Sequence, residues 1–374
     1  MQLLFVIWQI KYSSEPLASL CMNILYGVVG EGFGHATRSK VILDHLSKKH
    51  DVLIVGSGKA YDYLGRTHSN IKKIEGFELA IDQEGVRKKR TVARFIKSLP
   101  KKAAKNAVAF AKVSSGFSPD VVISDFESFA HILGRTHRKP IISIDNMQIL
   151  NRCKMDIEIP MDTFDDYLLA RTIIKNKLPR CRHYMITTFF YPEVEKKNTS
   201  LYPPILRQEV LDAKVSVGDH ILVYHTSGSD WDLLDLIRKF DSKFIVYGFS
   251  GKKRSRKKIK FREFSEEGFI LDLATSKAVI GSGGFSLISE AVYLGKPYLA
   301  IPLENQFEQF LNALYIRRLR YGEYARKPGK KDIEFFLDNL EFYRKNLKRH
   351  KQDGNKMILK DLDGILKTIG KKSK

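Results

Sequence analysis

The chain is poor in cysteine: 374 residues contain three, Cys21, Cys153 and Cys181. They are odd in number, widely separated and form no Cys-x-x-Cys pair. That excludes a disulfide framework, argues against a structural zinc site and points to a reducing compartment. No apolar run approaches the roughly 18 residues that a membrane-spanning helix requires. The opening MQLLFVIWQI has no basic segment ahead of its short apolar run, which argues against a signal peptide. The first convincing strand opens at Met22, so residues 1–21 read either as an extension or as a start assigned too early. Acidic charge is the other shortage: 42 Asp and Glu face 64 Lys and Arg, a net charge of +22. Such a balance implies attraction to something anionic, whether nucleic acid, lipid head groups or a phosphorylated substrate, without choosing between them.

What is present begins with a hydrophobic content of 43% and a charged content of 28%, those of a soluble globular protein. The length suits two domains. The most informative stretch is AVIGSGGFSLISEAVYLGKPYLAIPLENQFEQFLNA, from Ala278 to Ala313. Ala278 to Ile280 reads as a buried strand, Gly281 to Gly284 as a loop, and Phe285 to Leu294 as a helix closed by Gly295 and Pro297. Tyr298 to Ile301 is then a second strand, so the unit is βαβ and its glycine loop lies at the carboxyl end of a parallel strand, where open α/β sheets bind ligands. Glycines admit a ligand close to the backbone, and the free N–H groups and dipole of the following helix attract phosphate. Ser282 and Ser286 add hydroxyl donors, and Glu290, one turn beyond Ser286, is placed to accept from a ribose diol. The plainer alternative is an ordinary βα turn whose serines cap a helix. Against it stands the polar cluster after the next strand, Glu304, Asn305, Gln306, Glu308, Gln309 and Asn312, which suits a polyol.

A similar unit opens the chain. Met22 to Val29 is a strand, Gly30 to His35 a glycine loop, Ala36 to Lys48 a helix and Asp51 to Val55 the next strand. The spacing suggests a dinucleotide fingerprint, but no acidic residue ends the second strand, so that fit is poor. His35 is either a histidine bonding locally at a helix start or a general base. Asp120 to Ser124 is a further strand, which sets Asp125 near the same cleft, either orienting His35 or capping the next helix. Pro140 to Ile144 is another, ending in Asp145-Asn146-Met147-Gln148, a candidate for acceptor contact. The domain boundary is expected near 200, where glycine, proline and polar residues thicken. His220 to Tyr224 opens the second half, followed by His225 to Ser229 and a helix from Trp231. Asp230-Trp231-Asp232 has the spacing of a metal-binding DxD motif, but acidic residues at a helix start favour the dipole, and metal binding is rejected. Residues 85–113 read as a helix packing an apolar stripe on its own domain, or as a basic amphipathic surface resting on a membrane. Lys252 to Lys258 reads as an exposed basic loop.

The two glycine loops carry a resemblance. GSGGFSLISEAVYLGKPYLAIPLENQFEQFLNA resembles the donor-nucleotide motif of the GT-B glycosyltransferases, and GEGFGHATR resembles their acceptor-side GxGxGH loop. The nearest branches are the peptidoglycan N-acetylglucosaminyltransferase (family 28) and the UDP-glycosyltransferase superfamily. Plant-type members carry histidine where Ser282 stands, and asparagine then serine where Ser286 and Leu287 stand, so the peptidoglycan-type branch looks nearer. The resemblance implies an α/β GT-B fold of two Rossmann-like domains facing a cleft, 22–200 and 201–335, with 336–374 as C-terminal helices returning to the first domain; Ile333 to Leu347 are expected to brace the hinge. It implies an inverting transfer of sugar from a nucleoside diphosphate, UDP foremost, to an acceptor hydroxyl, a lipid-linked or cell-envelope glycan among the candidates. In it His35 is the base and Asp125 its orienting partner. Ser227, Gly228, Ser282, Gly283, Gly284 and Ser286 meet the diphosphate, Glu290 the ribose, and Glu308, Gln309 and Asn312 the sugar. Gly32, Gly34 and Thr37 form the acceptor-side loop, and Phe261 to Ile270 reads the base. No metal or other cofactor is expected, and the location is cytoplasmic, with contact to an anionic membrane face as an option. The rivals are a nucleotide-sugar epimerase on the same fold, for which no acid and base pair of carboxylates stands out, and a nucleic-acid-binding protein, for which no signature exists beyond charge.

Overall fold

The computed structural model describes residues 21–30, 32–76, 105–224, 231–249, 258–350 and 352–372. Residues 1–20, most of the basic 85–113 segment (85–104), the loop containing Ser227, Gly228 and Asp230, and Lys252 to Lys257 lie outside the described residues.

The first half comprises β1 (Asn23–Val28), α1 (Gly32–Leu46), β2 (Asp51–Gly56), α2 (Gly58–Leu64), β3 (Ile71–Lys73), α3 (105–116), β4 (Val121–Asp125), α4 (Ser128–Thr136), β5 (Ile141–Asp145), α5 (Ile149–Arg152), β6 (Cys153–Lys154), α6 (Phe164–Lys177), β7 (His183–Thr187), β8 (Glu193–Val194), β9 (Thr199–Tyr202) and α7 (Gln208–Leu211). The second comprises β10 (His220–Tyr224), α8 (Trp231–Ile237), β11 (Lys243–Tyr247), β12 (Ile259–Phe261), α9 (Glu266–Thr275), β13 (Ala278–Gly281), α10 (Phe285–Tyr293), β14 (Tyr298–Ala300), α11 (Phe307–Arg318), β15 (Gly322–Tyr324), α12 (Lys330–Asp338), α13 (Leu340–Leu347) and α14 (Lys356–Lys372).

Each half holds one parallel sheet, ordered β3-β2-β1-β4-β5-β7-β9 and β12-β11-β10-β13-β14-β15. Strands such as VVISD and AVIG are buried along their whole length, as parallel strands covered by helices on both faces must be. The strand order reverses between β1 and β4 and again between β10 and β13, which opens a crevice at the carboxyl ends of each pair. The register sets Val28 beside Asp125 in the first sheet and Tyr224 beside Gly281 in the second. Both candidate loops therefore issue from switch points.

Two expectations change in detail. β9 keeps the first sheet running to Tyr202, so the boundary falls after 200, in the connection to α7. Of the stretch Ile333 to Leu347, Ile333, Phe336 and Leu340 pack with Ile280 and Leu299 in the second domain, while Leu347 joins the cluster that holds Phe190 and Leu206 beside the connection. The element that returns is α14, whose Ile358, Leu362, Leu366 and Ile369 repeat on one helical face and bury in the first domain's core beside Ile42 and Leu46. Asp363 on its flank meets His45 at 2.8 Å and Lys49 at 2.9 Å.

Candidate active site

α1 starts directly after β1, and its fourth residue, His35, faces the end of β4. His35 Nδ1 lies 2.8 Å from Asp125 Oδ1, so the base and the orienting carboxylate expected on the acceptor side do meet. Asp125 is free for this because the cap of α4 is Glu127, whose carboxylate accepts from the backbone N–H of Phe129 and Ala130, both at 2.7 Å. Asp125 is fully buried, which by itself pushes its pKa up; Arg38 and then His35 outweigh that and hold it below the usual carboxylate range.

Arg38 was not singled out by sequence reasoning. Its Nε donates to Asp125 Oδ2 at 2.8 Å and its Nη2 to Oδ1 at 2.5 Å, a bidentate grip. Ser39 Oγ adds a third donor, 2.8 Å from Oδ2. Arg38 Nη1 donates to Asn146 Oδ1 at 2.6 Å, and Asn146 Nδ2 donates in turn to Glu308 Oε1 at 2.6 Å. Glu308 belongs to α11 of the other domain, so the polar chain crosses the cleft. The preceding residue, Asp145, accepts from the Gln148 N–H at 2.8 Å and the Ser143 hydroxyl at 2.5 Å.

On the second domain's wall, Gly283 is clamped by α11. Its N–H donates to Gln309 Oε1 at 3.1 Å, and its carbonyl accepts from Asn312 Nδ2 at 3.0 Å. Gln309 Oε1 also takes the Leu303 N–H at 3.2 Å. Gln309 and Asn312 are thus engaged in shaping the glycine loop. A Cβ at Gly283 would stand 2.2 Å from the backbone oxygen of Gln309, so the loop lies flush against α11 and requires glycine. Gly284 occupies the N-cap of α10, and among the described residues no side chain accepts from the first amides of α10. Ser282 is buried, and its carbonyl accepts from Tyr298 Oη at 2.7 Å.

Glu290 is 7% exposed and faces Arg207, with Nε 2.8 Å from Oε1 and Nη2 3.1 Å from Oε2. Arg207 stands between β9 and α7, in the connection between the domains, and its Nη1 reaches Glu266 Oε1 at 2.6 Å. Burial raises the Glu290 pKa, and Arg207 opposes that rise. Arg207 and Glu266 are further residues that the sequence reading missed.

The loops of the two domains touch. A Cβ on Gly34 would stand 2.3 Å from Ser286 Oγ, so the N-terminus of α1 abuts that of α10. Gly32 has φ +73°, a left-handed conformation suited to glycine, and the Thr37 hydroxyl donates back to the Gly34 carbonyl at 3.2 Å. Phe33 and Phe264 stack across the same gap with centroids 6.3 Å apart, which brings the stretch expected to read the base opposite the acceptor loop. A small crevice is lined by Asn146, Thr187, Phe190, Phe285, Glu308 and Asn312, among others. Among the described residues no three His, Cys, Asp or Glu side chains converge as a metal site, and no helix is long and apolar enough to cross a membrane.

The sequence profile of a family described as Glycosyl transferase family 1 matches residues 22–341. An uncharacterized glycosyltransferase of Methanosarcina mazei is 24% identical, covering 94% of this chain and all of that protein. Among solved structures, the calicheamicin glycosyltransferase CalG4 is similar with a TM-score of 0.67 at 14% identity, over 94% of this chain and 98% of that one. UGT2 of Phytolacca americana, solved with UDP-2fluoro-glucose and pterostilbene, is similar with a TM-score of 0.66 at 13% identity, over 94% and 99%. These structures share the fold of two facing domains.

Proposed function

The chain belongs to glycosyl transferase family 1, and from that premise we propose that it transfers a sugar from a nucleoside diphosphate to an acceptor hydroxyl with inversion, His35 serving as the base. The observation that carries this reading is the His35–Asp125 contact at the point where α1 abuts α10. With Nδ1–H donated to Asp125, the other ring nitrogen keeps a lone pair for the acceptor proton. The acceptor oxygen then bonds to the anomeric carbon as the bond to the diphosphate oxygen breaks, and the proton passes to His35.

The leaving diphosphate is met in this reading by the first amides of α10 and the hydroxyls of Ser282 and Ser286, with Ser227 and Gly228, which lie outside the described residues, as further donors. Helix N-termini and preorganised donors suit that charge without a metal. Glu290 takes the ribose through lone pairs that Arg207 does not use, and Glu308 the sugar. A UDP donor is favoured by analogy with the Phytolacca enzyme, whose structure holds a UDP-sugar. A lipid-linked or envelope glycan at an anionic membrane face is the acceptor class in keeping with a net charge of +22.

The test is sugar transfer from a panel of UDP-sugars with EDTA present, with the anomeric configuration of the product read by NMR. The expected outcome is an inverted product, with transfer lost in His35→Ala while UDP still binds. A retained configuration, or full activity in His35→Ala, overturns the mechanism.

A further inference from the structure

Arg38 follows His35 by three positions on α1, so the two side chains share a helix face. Only 5% of Arg38 is exposed, and every nitrogen of its guanidinium is engaged: Nε and Nη2 on Asp125, Nη1 on Asn146. Nη2 also lies 2.5 Å from His35 Nδ1. That ring nitrogen can serve one partner at a time. If it donates to Asp125, the far ring nitrogen is a free base. If it accepts from Arg38, the far nitrogen carries the proton and cannot take one.

The orientation of Asn146 bears on this choice. Its amide has one chemically sound setting, with the NH₂ toward the Glu308 carboxylate and the oxygen toward the Arg38 guanidinium; the reverse would set donor against donor and acceptor against acceptor. Glu308, on the opposite domain, therefore dictates which atom Asn146 offers to Arg38. With Nε held on Asp125 and Nη1 on Asn146, the guanidinium plane is fixed from two sides. The charged and titratable groups around the pair are Asp125 on β4, Arg38 on α1, Asp145 on β5, Tyr26 on β1 and Glu308 on α11.

We propose that Arg38 and Asn146 are positioning residues that make the basicity of His35 depend on domain contact: Arg38 offsets and aims the Asp125 carboxylate, and Asn146 locks Arg38 when Glu308 is docked. The proposal rests on the reading of His35 as the base. Parting of the domains removes Glu308 from Asn146 and loosens the Nη1 anchor, so the guanidinium no longer holds the Asp125 carboxylate in its aim on His35. Proton abstraction is then enabled when the two walls meet and suppressed when they part.

The experiment is the pH profile of kcat/KM for the full chain, comparing wild type with Arg38→Met, Arg38→Lys and Asn146→Ala, with His35→Ala as the control. Without Arg38 the Asp125 charge is uncompensated and favours the imidazolium. The acid limb of Arg38→Met is therefore expected to move up by about one pH unit, so its deficit at pH 6 exceeds its deficit at pH 8.5 about tenfold. Arg38→Lys, which keeps the charge and loses the fork, is expected to restore the limb but only part of kcat. Asn146→Ala is expected to lower kcat about tenfold, with the donor KM changed less than twofold and the Tm within about 2 °C. A profile of Arg38→Met parallel to wild type at every pH overturns the proposal. If that variant does not fold, an unchanged kcat in folded Asn146→Ala overturns it instead. Wild-type activity in His35→Ala would overturn the reading beneath it, an outcome distinct from either.

Discussion

Arg207 binds Glu290 side-on, Nε 2.8 Å from Oε1 and Nη2 3.1 Å from Oε2, so the carboxylate proposed to hold the ribose is fastened to the connection between the domains. Glu266 Oε1, which takes Arg207 Nη1 at 2.6 Å, also accepts from Tyr63 Oη of the first domain at 3.2 Å. One buried guanidinium thus gathers the linker, both walls and the donor motif.

This arrangement decides how the ribose role should be tested. Glu290→Ala would strand a buried guanidinium, at a cost of about 3–5 kcal/mol, and would confuse unfolding with lost binding. Glu290→Gln keeps the shape and one acceptor. Its affinity for UDP, measured by isothermal titration, is expected to fall about tenfold, close to 1.4 kcal/mol, with a lowered but measurable Tm. Unchanged affinity would show that the ribose is held elsewhere.

Asp125 links the site to acid stability. Burial raises its pKa, but Arg38 and His35 more than compensate, so its folded value lies below its unfolded one. The unfolded chain then takes up the proton first as pH falls. The stabilisation is complete above the unfolded pKa of about 3.9 and fades as pH drops toward the folded value. The stability gap between wild type and Asp125→Asn, read by urea denaturation, is expected to be about 3–5 kcal/mol at pH 7 and to narrow below about pH 4. A gap constant with pH would mean that Asp125 is not ionised in the fold.

The strands and loops that build the site were legible because they obey local rules. Runs such as AVIG and VVISD read as buried strands, and the glycine cluster after AVIG reads as a turn. The pairing of His35 with Asp125 was legible only as one of two options, since an aspartate at that place could equally cap the next helix, a role the structure gives to Glu127. The three-residue strands Ile71–Lys73 and Gly322–Tyr324 were not legible, since at that length alternation and burial leave no pattern. Arg38 and Arg207 escaped because an arginine's partners are chosen by tertiary contact. For Arg38 one signal existed, its helical spacing from His35. The returning helix was implied by the resemblance, and its Ile358, Leu362, Leu366 and Ile369, spaced by four, four and three, supply the apolar stripe that buries in the first domain.

Lys296 offers a second pH test, far from the cleft. It is 2% exposed, and its ammonium donates to the carbonyls of Ser216 at 2.6 Å and Ser276 at 2.9 Å. Burial, aided by Arg344, lowers its pKa to about 8. Between that value and the unfolded pKa near 10.4 the unfolded chain holds the proton and the folded chain has released it, so stability rises with pH in this window. Compared with Lys296→Met, the wild-type protein is expected to gain stability from pH 7.5 to 9.5 by chemical denaturation. A relative loss would show that the folded state binds that proton more tightly than the unfolded one.

Two glycines separate contact between the domains from contact within one. At Gly34 an added Cβ would meet Ser286 Oγ at 2.3 Å, a side-chain atom of the opposite wall, with Ser286 Cβ behind it at 3.3 Å. At Gly283 it would meet the backbone oxygen of Gln309 at 2.2 Å, and backbone in a packed helix cannot step aside. Gly34→Ala is therefore expected to leave each domain folded while blocking their approach, lowering sugar transfer by at least about tenfold, in keeping with the cost of misplacing reacting groups. Adding Ser286→Ala removes the obstructing oxygen, and the double variant is expected to regain the activity of Ser286→Ala alone, a non-additivity that marks direct contact. Gly283→Ala is expected to lose both activity and stability, and Ser286→Ala should do nothing for it. Were the Gly34→Ala, Ser286→Ala double variant no better than Gly34→Ala, the abutment of α1 on α10 would not be the working geometry of the cleft.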